Sequence, residues 1–225
     1  MMQAATLQAI SSMATRRILD AMAERWQQQH PIRLSIEAVG GVDAARRVTA
    51  GEPFDLVFLA DDPLQQLVRS GHVIEDSVTP LMASGVSVAV PSGTAHPPMR
   101  NAEDLRSAVL TADSVGVSTG PSGVALLRLF ESWGLSAASG GRLRQAPAGV
   151  PVATFLARGE VALGFQQTSE LSGMPGIEIV GPLPDEVAIV TLFSGGVACN
   201  ARQPGPAREV LSYLASRACI DLVRA

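Results

Sequence analysis

Phe54-Asp55-Leu56-Val57-Phe58-Leu59-Ala60, followed at once by Asp61-Asp62-Pro63, decides the fold of this chain. An apolar run of this length without polar alternation reads as a strand covered on both faces, the habit of parallel sheets flanked by helices. The Asp-Asp-Pro triplet then opens a helix, with proline in the first turn where its missing N–H costs nothing. Upstream, Ala4–Ile10 reads as a strand stopped by Ser11 and Ser12, which cap a helix from Met13 to about Gln28. Ile18, Met22 and Trp26 recur at spacing four and give that helix one buried face. Arg33–Ala38 alternates as a strand, and Gly40-Gly41 turns into a helix over Val42–Ala50. The first 70 residues therefore read β-α-β-α-β-α, the pattern of a parallel, doubly wound sheet.

Downstream, strands are expected at Gly85–Val90, Val115–Ser118, Arg142–Gln145, Val161–Gln166, Ile177–Val180 and Val187–Val197. Helices are expected from Asn101, from Gly123 to about Trp133, over Gly149–Arg158 and over Pro206–Ser216, with a Gly/Ser/Ala-rich surface loop at Leu135–Gly141.

A chain of 225 residues with 47% apolar and 17% charged residues has material for two cores and is not disordered. Net charge is −4 without a block of like charges, which argues against nucleic acid or an anionic membrane as partner. All 17 basic residues are arginine, so Schiff-base, phosphate-loop and kinase-type lysine chemistries are excluded together. Cys199 and Cys219 form no metal-spaced motif and read as ordinary buried thiols, while His30, His72 and His96 stand isolated near turns. No metal and no cofactor is expected. No segment approaches the ~20 apolar residues of a membrane span, so no membrane insertion is expected. Met1 runs almost directly into a strand. This reads as a cytoplasmic chain, or as a periplasmic one whose signal peptide has been removed, and the residues leave the two open.

In open α/β sheets ligands bind beyond the carboxyl ends of the strands, where helix N-termini present free N–H groups and a favourable dipole to anions. Four junctions place small or hydroxyl residues there: Ser11-Ser12, Gly40-Gly41, Gly120-Pro121-Ser122-Gly123 and Gly149-Val150. Each is equally the composition of a plain helix cap. Gln166-Gln167-Thr168-Ser169 adds a polar cluster directly after a strand, where glutamine supplies donor and acceptor together. Arg46 and Arg47 are candidates to neutralise an anion.

At these junctions the chain resembles the periplasmic molybdate-binding proteins, a branch of the type II solute-binding family. The residues that carry the resemblance are Ala9-Ile10-Ser11-Ser12-Met13, Gly40–Val48, Gly51–Asp61, Gly120–Gly123 and Gly159–Gln167. The match covers nearly the whole chain, in order. It implies an α/β type II fold of two lobes joined by crossing strands, with a ligand cleft between them. Lobe I takes residues 1–83 and 187–225, and lobe II takes 84–186. By the same resemblance Ser12 stands at a serine that holds the oxyanion, and Gly41 replaces a second serine. Ser122 replaces an alanine whose N–H binds the ligand, Gly149 or Val150 stands at another backbone donor, and Gln167 replaces a tyrosine. The ligand-binding set is then Ser11, Ser12, Gly40, Gly41, Pro121, Ser122, Gly123, Gly149, Val150, Gln166 and Gln167.

One serine lost, one gained and a tyrosine exchanged for glutamine suit a small organic carboxylate better than molybdate, since a dehydrated oxyanion tolerates no missing donor. Such a binder, if exported, would serve the membrane component of an ABC transporter. A molybdate or tungstate carrier of that kind is the plain family alternative. A second alternative is an enzyme: one member of the extended family is an aconitate isomerase, which Gly164–Leu171 and Gly181–Pro184 resemble more than they do the molybdate binders. The absence of a signal peptide favours that alternative. A proton-transferring base would then come from Ser12, Asp61 or Glu170, of which Asp61 also reads as a helix cap and Glu170 as an exposed loop residue.

Overall fold

The computed structural model describes residues 6–135 and 141–224. Ala4 and Ala5 at the head of the first expected strand, and residues 136–140 of the expected surface loop, lie outside the described residues. The chain divides into two compact units, Met1–Ala83 with Leu192–Ala225, and Ser84–Thr191.

Unit 1 is built on β1 (Thr6–Ser12), β2 (Arg33–Val39), β3 (Leu56–Ala60) and the end of β9 (Val190–Val197). β1 runs parallel to both β2 and β3, and β9 closes the far side antiparallel to β3. The helices are α1 (Arg16–Gln27), α2 (Gly41–Thr49), α3 (Asp61–Arg69), α8 (Pro204–Leu214) and α9 (Arg217–Arg224). β3 is buried on both faces, as its run of apolar residues requires. Leu56, Phe58 and Ala60 join the core with Leu19, Met22 and Trp26 of α1 and Val210 and Leu214 of α8. Val57 and Leu59 join the opposite core with Ala44 and Val48 of α2 and Leu64 and Leu67 of α3.

Two details depart from the sequence reading. The helix expected from Met13 begins as a 3-10 turn over Met13–Thr15. Asp55 is not part of β3 but a buried carboxylate at its start. It accepts from the backbone N–H groups of Gln8 at 2.9 Å, Arg202 at 2.8 Å and Gln203 at 3.1 Å, and so fastens the entry to α8.

Unit 2 contains most of β4 (Thr79–Pro91), β5 (Val115–Val117), β6 (Leu143–Gln145), β7 (Leu163–Gln167) and β8 (Ile177–Pro182). β5 is parallel to β6 and β7, whereas β4 pairs antiparallel with β7 and β8. The parallel pattern of the first three strands therefore does not hold throughout. Its helices are α4 (Ala102–Thr111), α5 (Pro121–Ser132), α6 (Val152–Ala157) and the short α7 (Thr168–Leu171). Val88, Val115, Val117, Leu126, Phe130 and Phe165 form the main core, and Ala153, Leu156, Val161 and Leu171 form a second under α6.

The helix expected over Gly149–Arg158 is shorter at its start. Gly149 has φ +77°, a left-handed conformation outside any helix, and Pro151 is the cap position. Cys199 is exposed, against expectation, and Cys219 is buried; both are free thiols. Among the described residues no helix is long and apolar enough to cross a membrane.

Candidate functional site

In unit 1 the register brings three strand ends to one edge. Ser11 lies opposite Ala38 and Phe58, and Ser12 lies opposite Val39. The segments that follow, Met13–Thr15, Gly40-Gly41 and Asp61, therefore all leave the sheet together. Ser11 is fully buried, and its hydroxyl has no hydrogen-bond partner among the described residues. Such groups are rare in native interiors and call for a specific reason. Ser12 is also buried, with its Oγ 3.5 Å from Thr15 Oγ1, and the Thr15 hydroxyl donates to the Ser12 carbonyl at 3.0 Å.

Gly40 is the cap position of α2 and supplies no side chain to its N-terminus. A Cβ on Gly41 would meet only the Ser12 Cβ, at 3.6 Å, so the two positions are neighbours with room between them. Asp61 is not the cap of α3. Ala60 holds that place, and Asp61 Oδ1 instead accepts from the buried Ser194 hydroxyl at 2.9 Å. Arg46 and Arg47 are committed elsewhere: Arg46 pairs with Asp43 at 3.1 Å, and Arg47 with Glu37 at 2.5 Å and Glu52 at 2.7 Å.

In unit 2 the parallel register of β5 and β7, with Val117 opposite Phe165, places Ser118, just past the end of β5, at the edge where β7 ends with Gln166 and Gln167. α5 begins there with Gly120 as an uncapped N-terminus, Pro121 in its first turn and no acidic residue in that turn. Ser122 and Gly123 are buried in the same turn. Gly123 has a packing reason of its own. A Cβ there would lie 1.9 Å from the Ser118 carbonyl oxygen, so the helix approaches the strand end over bare backbone. By contrast α4 carries an ordinary cap, Asn101, which accepts from the Asp104 N–H at 2.9 Å.

Gly149 and Val150 do not stand at a helix N-terminus. They are exposed in the turn before α6, and the Val150 N–H is used by the Pro147 carbonyl at 3.0 Å. The α6 N-terminus is satisfied from within, since the Val152 N–H donates to Gln166 Oε1 at 2.8 Å. Gly164 makes that contact possible, because a Cβ there would lie 2.6 Å from Leu156 and push α6 off the sheet.

Gln166 and Gln167 are both buried, at 3% exposure each, so neither is a solvated strand end. Gln167 has its amide satisfied at both ends in one orientation. The nitrogen donates to the Ser84 hydroxyl at 2.9 Å and the Ser84 carbonyl at 3.0 Å, and the oxygen accepts from Thr191 Oγ1 at 2.7 Å. Glu170 is not an exposed loop residue. It sits half-buried in α7, and burial pushes its carboxyl up to about 7 against the opposing effect of a hydrogen bond from Gln166. α7 went unseen in the sequence because one turn of helix has no periodicity to read. Among the described residues no group of three or more His, Cys, Asp or Glu is placed to hold a metal ion.

The family model of bacterial extracellular solute-binding proteins matches residues 7–225. An aconitate isomerase from Pseudomonas sp. is 36% identical over 218 residues, covering 94% of this chain and 83% of the relative. Among solved structures, the periplasmic molybdate-binding protein of Azotobacter vinelandii aligns with a TM-score of 0.78 at 15% identity, over 97% of this chain and 96% of that one. The tungstate ABC transporter protein of Geobacter sulfurreducens aligns with a TM-score of 0.75 at 15% identity, over 97% of both chains. At such identities the structural likeness shows the fold, the α/β architecture of type II periplasmic solute-binding proteins.

Proposed function

This chain belongs to the bacterial extracellular solute-binding protein family, and from that premise we propose that it binds a small organic polycarboxylate rather than molybdate. The observation that carries this reading is the Ser11 hydroxyl, buried without a hydrogen-bond partner among the described residues at the end of β1, beside Ser12 and the uncapped start of α2. A buried polar group without a protein partner is accounted for when a ligand supplies the partner. The uncapped, acid-free N-terminus of α5 supports an anionic ligand. The glycine at position 41 removes a hydroxyl that the resemblance assigns to a tetrahedral oxyanion. Thermal-shift titration with trans-aconitate, cis-aconitate, citrate, sulfate and molybdate tests the reading, because a ligand of the folded state raises the melting temperature by an amount that grows with the logarithm of [L]/Kd. The carboxylates are expected to act and molybdate not; a shift with molybdate alone overturns it.

A second reading is favoured by the 36% identity to an aconitate isomerase and by the half-buried carboxyl of Glu170. Here the bound ligand is an unsaturated tricarboxylate. A base removes the proton from its methylene carbon, the double bond shifts along the three-carbon unit, and a proton returns at the former vinyl carbon. Atoms and electrons balance without a cofactor. Incubation with trans-aconitate, followed by proton NMR for the cis isomer, tests this reading separately. As a binder the protein would act in the periplasm with the membrane component of an ABC transporter; as an enzyme it needs no such partner.

A further inference from the structure

We propose that Asp61 is the group that moves the substrate proton, and that Ser194 is the positioning residue that holds it at the strand-end edge of unit 1. The proposal rests on the isomerase reading and takes an unsaturated tricarboxylate as substrate.

Three neighbouring strands set the geometry. Ser11 of β1 lies opposite Phe58 of β3, so one residue further along Ser12 stands level with Leu59, and Leu59 lies opposite Ser194 of β9. Opposite residues share a face of a sheet, and so do residues two apart along a strand. Ile10 and Leu59 both belong to the core with α2 and α3, so Ser12 and Ser194 are on that face. The nearness of Gly41, the first residue of α2, to the Ser12 Cβ agrees with this placement. Asp61 follows Leu59 by two residues, and its Oδ1 accepts from the Ser194 hydroxyl at 2.9 Å. Ser12, Gly41 and Asp61 therefore share one edge and one face, with Ser12 and Ser194 two strands apart, roughly 10 Å. Ser11, whose buried hydroxyl has no hydrogen-bond partner among the described residues, stands at the same strand end and points independently to a ligand there.

Neither a helix cap nor plain anion binding accounts for Asp61. Ala60 is the cap position of α3, and the Asp61 carboxylate turns to β9 instead. The exposed Asp62 already supplies the acidic charge that a helix start favours. A carrier gains nothing from a carboxylate at the edge where its anion sits, because like charges repel. A base needs that placement. Ser194 is fully buried and has one hydroxyl proton, which it gives to Oδ1. Oδ2 is then the oxygen that takes the proton from the methylene carbon of the ligand, and the electron pair of that C–H bond becomes the new double bond. The pair of the old double bond binds the proton that Oδ2 returns to the former vinyl carbon, so the carboxylate is restored and nothing is oxidised or reduced. The Ser194 bond limits rotation of the carboxyl and so fixes where Oδ2 stands.

The test follows interconversion of trans- and cis-aconitate by proton NMR, and trans-aconitate binding by calorimetric titration. It compares the full chain with Asp61→Asn, Asp61→Glu, Ser194→Ala and Glu170→Gln. Asparagine keeps an oxygen that accepts from Ser194 but takes no proton. Asp61→Asn is expected to fold, to bind trans-aconitate at least as tightly as the wild type because a like charge is gone, and to lose about 100-fold or more in kcat. If Asp61→Asn does not fold, Asp61→Glu, which keeps the charge and moves the carboxyl by one methylene, is expected to bind trans-aconitate and to lose about 10-fold or more in kcat. Ser194→Ala is expected to lower kcat about 10-fold with KM nearly unchanged, a split that loss of packing alone does not produce. An unchanged kcat in Ser194→Ala overturns the positioning role. An active wild type whose kcat ignores Asp61, or is lost in Glu170→Gln and kept in Asp61→Asn, overturns the proposal and leaves the isomerase reading standing. A wild type that does not interconvert the aconitates overturns the isomerase reading and the role of Asp61 with it.

Discussion

Gln167 is bonded to Thr191 through a 2.7 Å hydrogen bond, and the same amide reaches Ser84 at 3.0 Å. Ser84 and Thr191 are the residues at which the chain enters and leaves unit 2. One buried side chain at the end of β7 thus fastens both crossings. Gln167→Leu keeps the volume but strands the Ser84 and Thr191 partners, each a polar group whose lost bond costs ~1–3 kcal/mol. The variant is expected to melt roughly 2–10 °C lower by calorimetry. An unchanged melting temperature would show that the amide bonds contribute nothing to stability.

Ser11 sets stability against binding. Its buried hydroxyl has no hydrogen-bond partner among the described residues. Ser11→Ala is therefore expected to leave unliganded stability unchanged or to raise it by up to ~1 kcal/mol in denaturant titration. The same change is expected to weaken the polycarboxylate by ~1–3 kcal/mol, about 5- to 150-fold in Kd by calorimetric titration. A variant that is less stable yet binds normally would remove Ser11 from the site and make its hydroxyl a packing element.

These two residues also show how far a linear reading reaches. β3 was legible because the five apolar residues Leu56–Ala60, uninterrupted by a polar one, admit one structure, a strand covered on both faces. Ser11 and Ser12 were legible as a strand end because they interrupt an apolar segment just before a helical pattern. The role of Gln167 was not. Its partners lie 83 residues before it and 24 residues after it, and only the folded register brings them together. Glu170 was misread for a related reason: exposure depends on α6 approaching β7, which Gly164 permits but does not announce. The α9 helix was missed because Ser216 reads as the end of the preceding helix, although Arg217–Arg224 begins immediately after it.

Two glycines at the strand-end edges are expected to respond oppositely to an added side chain. At Gly41 a Cβ meets only the Ser12 Cβ at 3.6 Å, ordinary contact, and the backbone is not left-handed. Gly41→Ser is expected to fold with stability within ~0.5 kcal/mol of the parent. It restores the hydroxyl that the molybdate-binding resemblance assigns there, and is expected to increase the thermal shift given by molybdate relative to that given by aconitate. At Gly123 the added atom would lie 1.9 Å from the Ser118 carbonyl oxygen, and backbone must move. Gly123→Ala is expected to cost ~1–3 kcal/mol or more, measured by denaturant unfolding. Equal behaviour of the two variants would refute the close approach of α5 to the end of β5.

The carboxyl of Glu170 gives the chain a pH dependence opposite in sign to that of its surface carboxylates. Hydrogen bonds from Arg47 and Arg100 hold Glu37 and Asp104 below the usual carboxylate range, so their contribution to stability is lost as pH falls. Glu170 is pushed from 4.5 up to about 7 by burial, so the folded chain binds this proton more tightly than the unfolded chain does. Its contribution is fully present below about pH 4.5 and is lost as pH rises through 7. The span corresponds to at most ~3 kcal/mol. Glu170→Gln carries no proton in this window, so the difference in unfolding free energy between wild type and variant isolates the group from every other titration. That difference is expected to move in favour of the variant between pH 4.5 and 7.5 in chemical denaturation, and to be flat above pH 8. A flat difference across the whole range would mean that Glu170 titrates as an exposed carboxylate, and would remove it as a candidate base of the second reading.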